Sequence, residues 1–111
     1  MRRNGAMVMG ATKPRLRFRR EAYETGLASI GQGPRGFELW YGDERLGSAD
    51  EIRTGPGMAL GSGRFFWSVG TFKELGIEHR NTAATPVDSM EAAKSMLRAY
   101  VVRCLKDAYL R

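Results

Sequence analysis

The stretch "GFELWYG", residues 36–42, decides how this chain is read. Phe37, Leu39 and Tyr41 alternate with Glu38 and Trp40, aromatic residues are dense, and a glycine stands at each end. That is the signature of a β-strand, with Phe37, Leu39 and Tyr41 on one face and Trp40 on the other. The reading matters because of what precedes it. Gly31-Gln-Gly33-Pro-Arg-Gly36 fits the G-x-G-x-x-G spacing of a dinucleotide loop. Such a loop needs a helix directly after it, whose N-terminus supplies N–H donors to the pyrophosphate. Here a strand follows, and Pro34 removes one N–H from the loop. The glycines are expected to turn a hairpin, and no cofactor is expected.

Working outward, "DER" makes a tight turn and "RLGSADEI" (45–52) returns as the partner strand. "GRFFWSVG" (63–70) is the clearest strand, with Phe65, Trp67 and Val69 on one face and Phe66 on the other. Between them lies the glycine-rich run "TGPGMALGSGR" (54–64), which lacks the lysine and following helix of a phosphate loop. It is expected to be a long, flexible hairpin loop with Arg53 and Arg64 at its base, placed for weak anion contact. Upstream, "RLRFRR" (15–20) alternates as a further strand, with Leu16 and Phe18 opposite Arg15, Arg17 and Arg19. "GLASIG" (26–31) is another strand candidate, or part of a short helix from Glu21.

Residues 71–86 carry no periodic pattern and are expected to be irregular. They lead into the strongest helix signal. Asp88 is the expected N-cap, with Glu91 three positions later as in a capping box. Met90, Ala93, Leu97, Tyr100, Val101, Cys104 and Ala108 then recur at three- and four-residue steps as one apolar stripe. Strands followed by one amphipathic helix predict an α+β fold. The expected architecture is an antiparallel sheet of four or five strands in a meander, with one long C-terminal helix packed on one face. The 111 residues suggest a single domain over 15–111, preceded by a flexible basic arm over 1–14.

Charge is unevenly placed. Seven of the 18 basic residues (Arg2, Arg3, Lys13, Arg15, Arg17, Arg19 and Arg20) fall in the first twenty positions, which contain no acid. The other 91 residues carry 11 basic and 12 acidic side chains. A near-neutral body with a basic N-terminal segment suggests a polyanionic partner, nucleic acid before an anionic membrane surface. No run reaches the roughly 18 apolar residues of a membrane span. The apolar run Ala6–Ala11 is shorter than the roughly 7–15 residues of a signal peptide's apolar region, so a cytoplasmic protein is expected.

Catalytic chemistry is poorly supplied. His79 is the single histidine and Cys104 the single cysteine. Cys104 falls on the apolar stripe, where a thiol is usually inert, and His79 sits between Glu78 and Arg80 as a solvated loop residue would. One His and one Cys cannot build a four-ligand zinc site, so no metal is expected. The acidic pairs Asp43/Glu44 and Asp50/Glu51 are expected at hairpin ends as solvated charge.

The second sheet face poses the open question, because one helix covers one side and Trp40 and Phe66 point to the other. The N-terminal strand or the 71–86 segment folds over them, or they form a subunit interface, or they stack single-stranded bases while arginines hold phosphate. Arg15, Arg17 and Arg19 would be spaced by about 7 Å along a strand, suited to tracking a phosphate backbone. In element order over residues 36–105, the chain resembles small sheet-plus-helix DNA-binding domains, such as those that bind arm sites in phage-type integrases. The resemblance implies DNA contact through the sheet, although the strongest basic cluster here lies before that region. The leading expectation is a non-enzymatic binding protein that contacts DNA or RNA through Arg15, Arg17, Arg19, Arg20, Trp40 and Phe66. The alternative is a protein-interaction module, a homodimer joined through its sheet or a binder of another protein. A small-molecule pocket between sheet and helix is a third option, and no membrane partner is expected.

Overall fold

The computed structural model describes residues 14–20, 36–58 and 60–109. Its elements are β1 (Leu16–Arg20), β2 (Gly36–Tyr41), β3 (Glu44–Thr54), β4 (Leu60–Val69), β5 (Arg80–Asn81) and α1 (Met90–Tyr109). The five strands form one antiparallel meander in the order β1-β2-β3-β4-β5, and α1 packs across β3 and β4. This is the α+β architecture that alternation and the helical stripe predict. The "GLASIG" candidate and the first five residues of the glycine motif lie outside the described residues, as does the arm up to Lys13. Among the described residues no helix is long and apolar enough to cross a membrane.

Register explains which side chains meet. Phe18 pairs with Leu39, Leu39 with Gly47, and Gly47 with Val69, so one row of inward positions crosses four strands. Leu39, Ala49, Trp67 and Val69 are buried on that face, beneath Ala93, Leu97 and Val101 of the helix. Those three helix residues recur every fourth position, which keeps them in one line along the sheet. Met90, Tyr100, Cys104 and Leu105 flank them, and Tyr100 packs on Trp67 with ring centres 5.4 Å apart. A side chain at Gly47 would run into the Ser68 carbonyl, so glycine lets β3 and β4 close beneath the helix.

Several local expectations are corrected. The 54–64 run is mostly strand, because pairing continues through Arg53 with Gly61 and Thr54 with Leu60. A short 3-10 turn at Pro56–Met58 begins the reversal. Gly63 has φ near 74° and donates its N–H to the Glu51 carboxylate, where β3 and β4 slip register. Arg53 and Arg64 are engaged: Arg53 donates to the Met58 carbonyl, and Arg64 reaches both the Pro86 carbonyl and Asp88. Asp50 and Glu51 lie within β3, not at its end. Asp50 accepts the Ser48 hydroxyl at 2.6 Å, which satisfies the one buried polar side chain among the described residues.

The 71–86 segment is also more ordered than its sequence suggests. It holds a 3-10 turn at Lys73–Leu75 and strand β5, and it sends Ile77 into the core. Thr82 replaces a ladder partner at the sheet edge. Its hydroxyl accepts the Trp67 N–H at 2.9 Å and donates to the Trp67 carbonyl at 2.8 Å.

The helix cap is Ser89 rather than Asp88. The Ser89 hydroxyl accepts the Ala92 N–H at 3.0 Å, while Asp88 turns away to Arg64. Replacing Ser89 by Ala is expected to cost about 1 kcal/mol, whereas Asp88→Ala removes only an exposed ion pair and costs about 0.5 kcal/mol or less. Leu97→Ala, at the centre of the stripe, is expected to cost about 2–5 kcal/mol. Urea denaturation of the three variants checks this order.

Candidate nucleic-acid interface

Burial of Leu16 and Phe18 against the core turns the alternate residues of β1 to the opposite face. Arg17 and Arg19 therefore project from the side of the sheet that α1 does not cover. Arg15 continues the line, since its carbonyl accepts the Gly42 N–H and extends the β1–β2 pairing by one residue. Arg17 lies directly across from Trp40, and Arg19 across from Glu38. The Arg19 guanidinium sits over the Trp40 ring, 4.8 Å from its centre. A cation–ring contact at such an exposed position is worth about 0.5–1 kcal/mol.

Trp40 itself is held from below. Its indole N–H donates to Glu38 at 3.1 Å, and the other Glu38 oxygen pairs with Arg45 at 2.9 Å. The ion pair is half exposed on the arginine side and adds at most about 1 kcal/mol to stability. Its consequence is geometric: it fixes the carboxylate that fixes the indole. Arg19, Trp40, Glu38 and Arg45 thus form one chain of contacts across β1, β2 and β3.

Sequence reading missed Arg45. Strict alternation from Ala49 back through Gly47 would turn Arg45 toward the helix. A bulge changes the parity: Leu39 pairs with Gly47 but Trp40 with Arg45, leaving Leu46 unpaired and buried in the core. No period-two pattern carries that signal.

The six expected contact residues are not brought together as one surface. Arg15, Arg17, Arg19 and Trp40 cluster at the β1 side of the open face. Arg20 falls on the helix side, 5.6 Å from the Phe37 ring, which also carries Lys94 at 4.1 Å. Phe66 is on the open face but far from Trp40. It pairs with Asp50, which pairs with Gly36, four residues along β2 from Trp40 and two strands away. Standard strand geometry makes that separation roughly 16 Å. The Asp50 carboxylate beside Phe66 also disfavours phosphate there. Neither expected cover reaches this face: β1 joins the sheet edge, and 71–86 contributes β5 and packs its apolar residues on the helix side.

Among the described residues, the ion pairs include Arg45–Glu38, Arg64–Asp88 and Lys94–Glu91. None of these involves Arg15, Arg17, Arg19 or Arg20, although Glu38 stands directly across from Arg19. Elsewhere, His79 is exposed ahead of β5, and Cys104 is part-buried in the helix beside Tyr100. No group of three or more His, Cys, Asp or Glu among the described residues could hold a metal. An open groove of about 850 Å³ lies at the C-terminal end of α1, lined by Tyr41, Leu75, Val102 and Leu105 with Glu74 and Lys106.

No protein-family model, curated protein or solved structure matches this chain.

One side chain on the helix side titrates abnormally. Burial, aided by a hydrogen bond with Cys104, raises the Tyr100 pKa above its usual value, although the Glu78 backbone and the Arg80 charge oppose this. A raised folded-state pKa means the contribution is complete below the unfolded value near 10 and is lost as pH climbs through the folded value. Melting temperature is expected to fall above pH ~10, and Tyr100→Phe is expected to shrink that alkaline drop.

Proposed function

We propose that this chain is a non-enzymatic binding protein for nucleic acid, with Arg15, Arg17 and Arg19 of the open sheet face contacting phosphate. The observation that carries the reading is the row of arginines beside Trp40, none of which forms an ion pair with a described residue. Like charges repel, yet here three arginines share one edge of a sheet, and the described acid facing them, Glu38, is engaged by Trp40 and Arg45. Alternate strand positions space them by about 7 Å, which suits successive phosphates of one strand. Arg45 adds a fourth cation on the far side of Trp40, although Glu38 already accompanies it. Arg20, on the other face with Lys94, extends the positive rim around the β1 edge and is peripheral to the row. Phe66 is left outside the interface by its distance and by Asp50.

The alternative, a protein-interaction module or a homodimer joined through its sheet, draws less support. Pairing two β1 edges would set one cationic strand against another, and such charge is a common device against edge-to-edge association. The groove at the end of α1 is the better surface for a protein partner or an apolar small molecule, but its walls offer few polar groups to fix one.

Phosphate contact predicts a steep salt dependence. Log affinity for a single strand falls with log salt by about 0.7 per phosphate neutralised. Changing Arg15, Arg17 and Arg19 together to Ala is expected to flatten the slope by roughly two and to weaken binding at low salt. Titration of a labelled oligonucleotide at two salt concentrations measures both. Unaltered low-salt affinity in the triple variant would contradict the assignment.

A further inference from the structure

We propose that Trp40 is the seat for one unpaired base of a single-stranded nucleic acid, and that Arg19 fills this seat in the free protein. The inference rests on the nucleic-acid reading above and adds the ligand's strandedness and the exchange at one residue. Three observations carry it. The ring is fixed, because Glu38 holds the indole N–H and Arg45 holds Glu38. The group lying over the ring is an exposed guanidinium with no carboxylate partner among the described residues, 4.8 Å from the ring centre. The neighbouring Arg17 lies directly across from Trp40, so a phosphate held there would deliver its own base to the same ring.

A base stacked on an aromatic ring is worth more than an exposed cation–ring contact, so an arriving base displaces Arg19. The guanidinium is not stranded by the exchange. It moves to an adjacent phosphate, where a charge-assisted bidentate contact replaces the one it left. Only an unpaired base offers a free π-face, so the seat selects single strands over duplex. Phe66, roughly 16 Å away by strand geometry, cannot take the next base in a continuous stack. The site is therefore one base with flanking phosphates rather than an extended platform.

The test compares three labelled ligands of equal length on the unmodified protein by fluorescence anisotropy: oligo(dT), the corresponding abasic deoxyribose-phosphate strand, and a duplex. Oligo(dT) is expected to bind roughly ten-fold tighter than the abasic strand and tighter than the duplex. Trp40→Leu is expected to remove the difference between oligo(dT) and the abasic strand. Tryptophan emission supplies an independent readout. Trp67 is buried and its indole N–H has no partner, so Trp67→Phe leaves Trp40 as the single tryptophan with no hydrogen bond lost. Oligo(dT) should quench that emission and the abasic strand should not. Arg19→Ala, without any ligand, should make Trp40 more accessible to acrylamide. Equal affinity for oligo(dT) and the abasic strand, with unchanged emission, would overturn the base seat while leaving phosphate binding intact. Failure of all three ligands to bind would overturn the nucleic-acid reading and this inference with it.

Discussion

Everything in this molecule follows from one helix burying one stripe on one face of a five-stranded sheet. Ala93, Leu97 and Val101 are fully buried against Ala49, Trp67, Val69 and Leu39. Strand side chains alternate, so committing Leu16, Phe18, Leu39 and Trp67 inward forces Arg17, Arg19, Trp40 and Phe66 outward. The helix is wide enough for β3 and β4, and among the described residues it has no counterpart on the other side. The properties of the open face are thus the complement of the core, and a slip of one residue in any strand would exchange the two.

The open face is chemically uneven. Toward β1 it is cationic and carries an oriented indole. Toward β4 it carries Ser48, Asp50 and Phe66, with Asp50 already satisfied by the Ser48 hydroxyl. Two acids elsewhere have other partners: Asp88 meets Arg64, and Glu51 receives the Gly63 N–H. Among the described residues, no acid forms an ion pair with the β1 arginines, and Glu38, across from Arg19, is engaged by Arg45 and Trp40.

Much of the architecture is legible in the residues themselves. The alternation of 36–41 and 65–69 and the three- and four-residue steps of the helix each carry their own period, so their faces are assigned without coordinates. What escapes is whatever depends on register between elements. The bulge that buries Leu46 and turns Arg45 outward exists only in the pairing of β2 with β3. Ser89 and Asp88 are equally good caps on paper, and Arg64, far away in sequence, draws Asp88 off. Arg20 continues the arginine run by eye but sits on the other parity, beside Phe37. Trp40 and Phe66 share a face, yet strand offsets hold them apart. The glycine-rich stretch reads as loop because glycine has low strand propensity, while the long β3–β4 ladder extends into it.

The most direct test of the central claim is arginine-selective chemical modification, mapped by mass spectrometry, with and without a single-stranded oligonucleotide at low salt. If the open face grips the phosphate backbone, Arg17 and Arg19 lose reactivity on binding while Arg98 and Arg103 of the helix remain as reactive as before. Protection confined to the helix arginines, with Arg17 and Arg19 unchanged, would place the polyanion on the wrong side of the sheet and contradict the account.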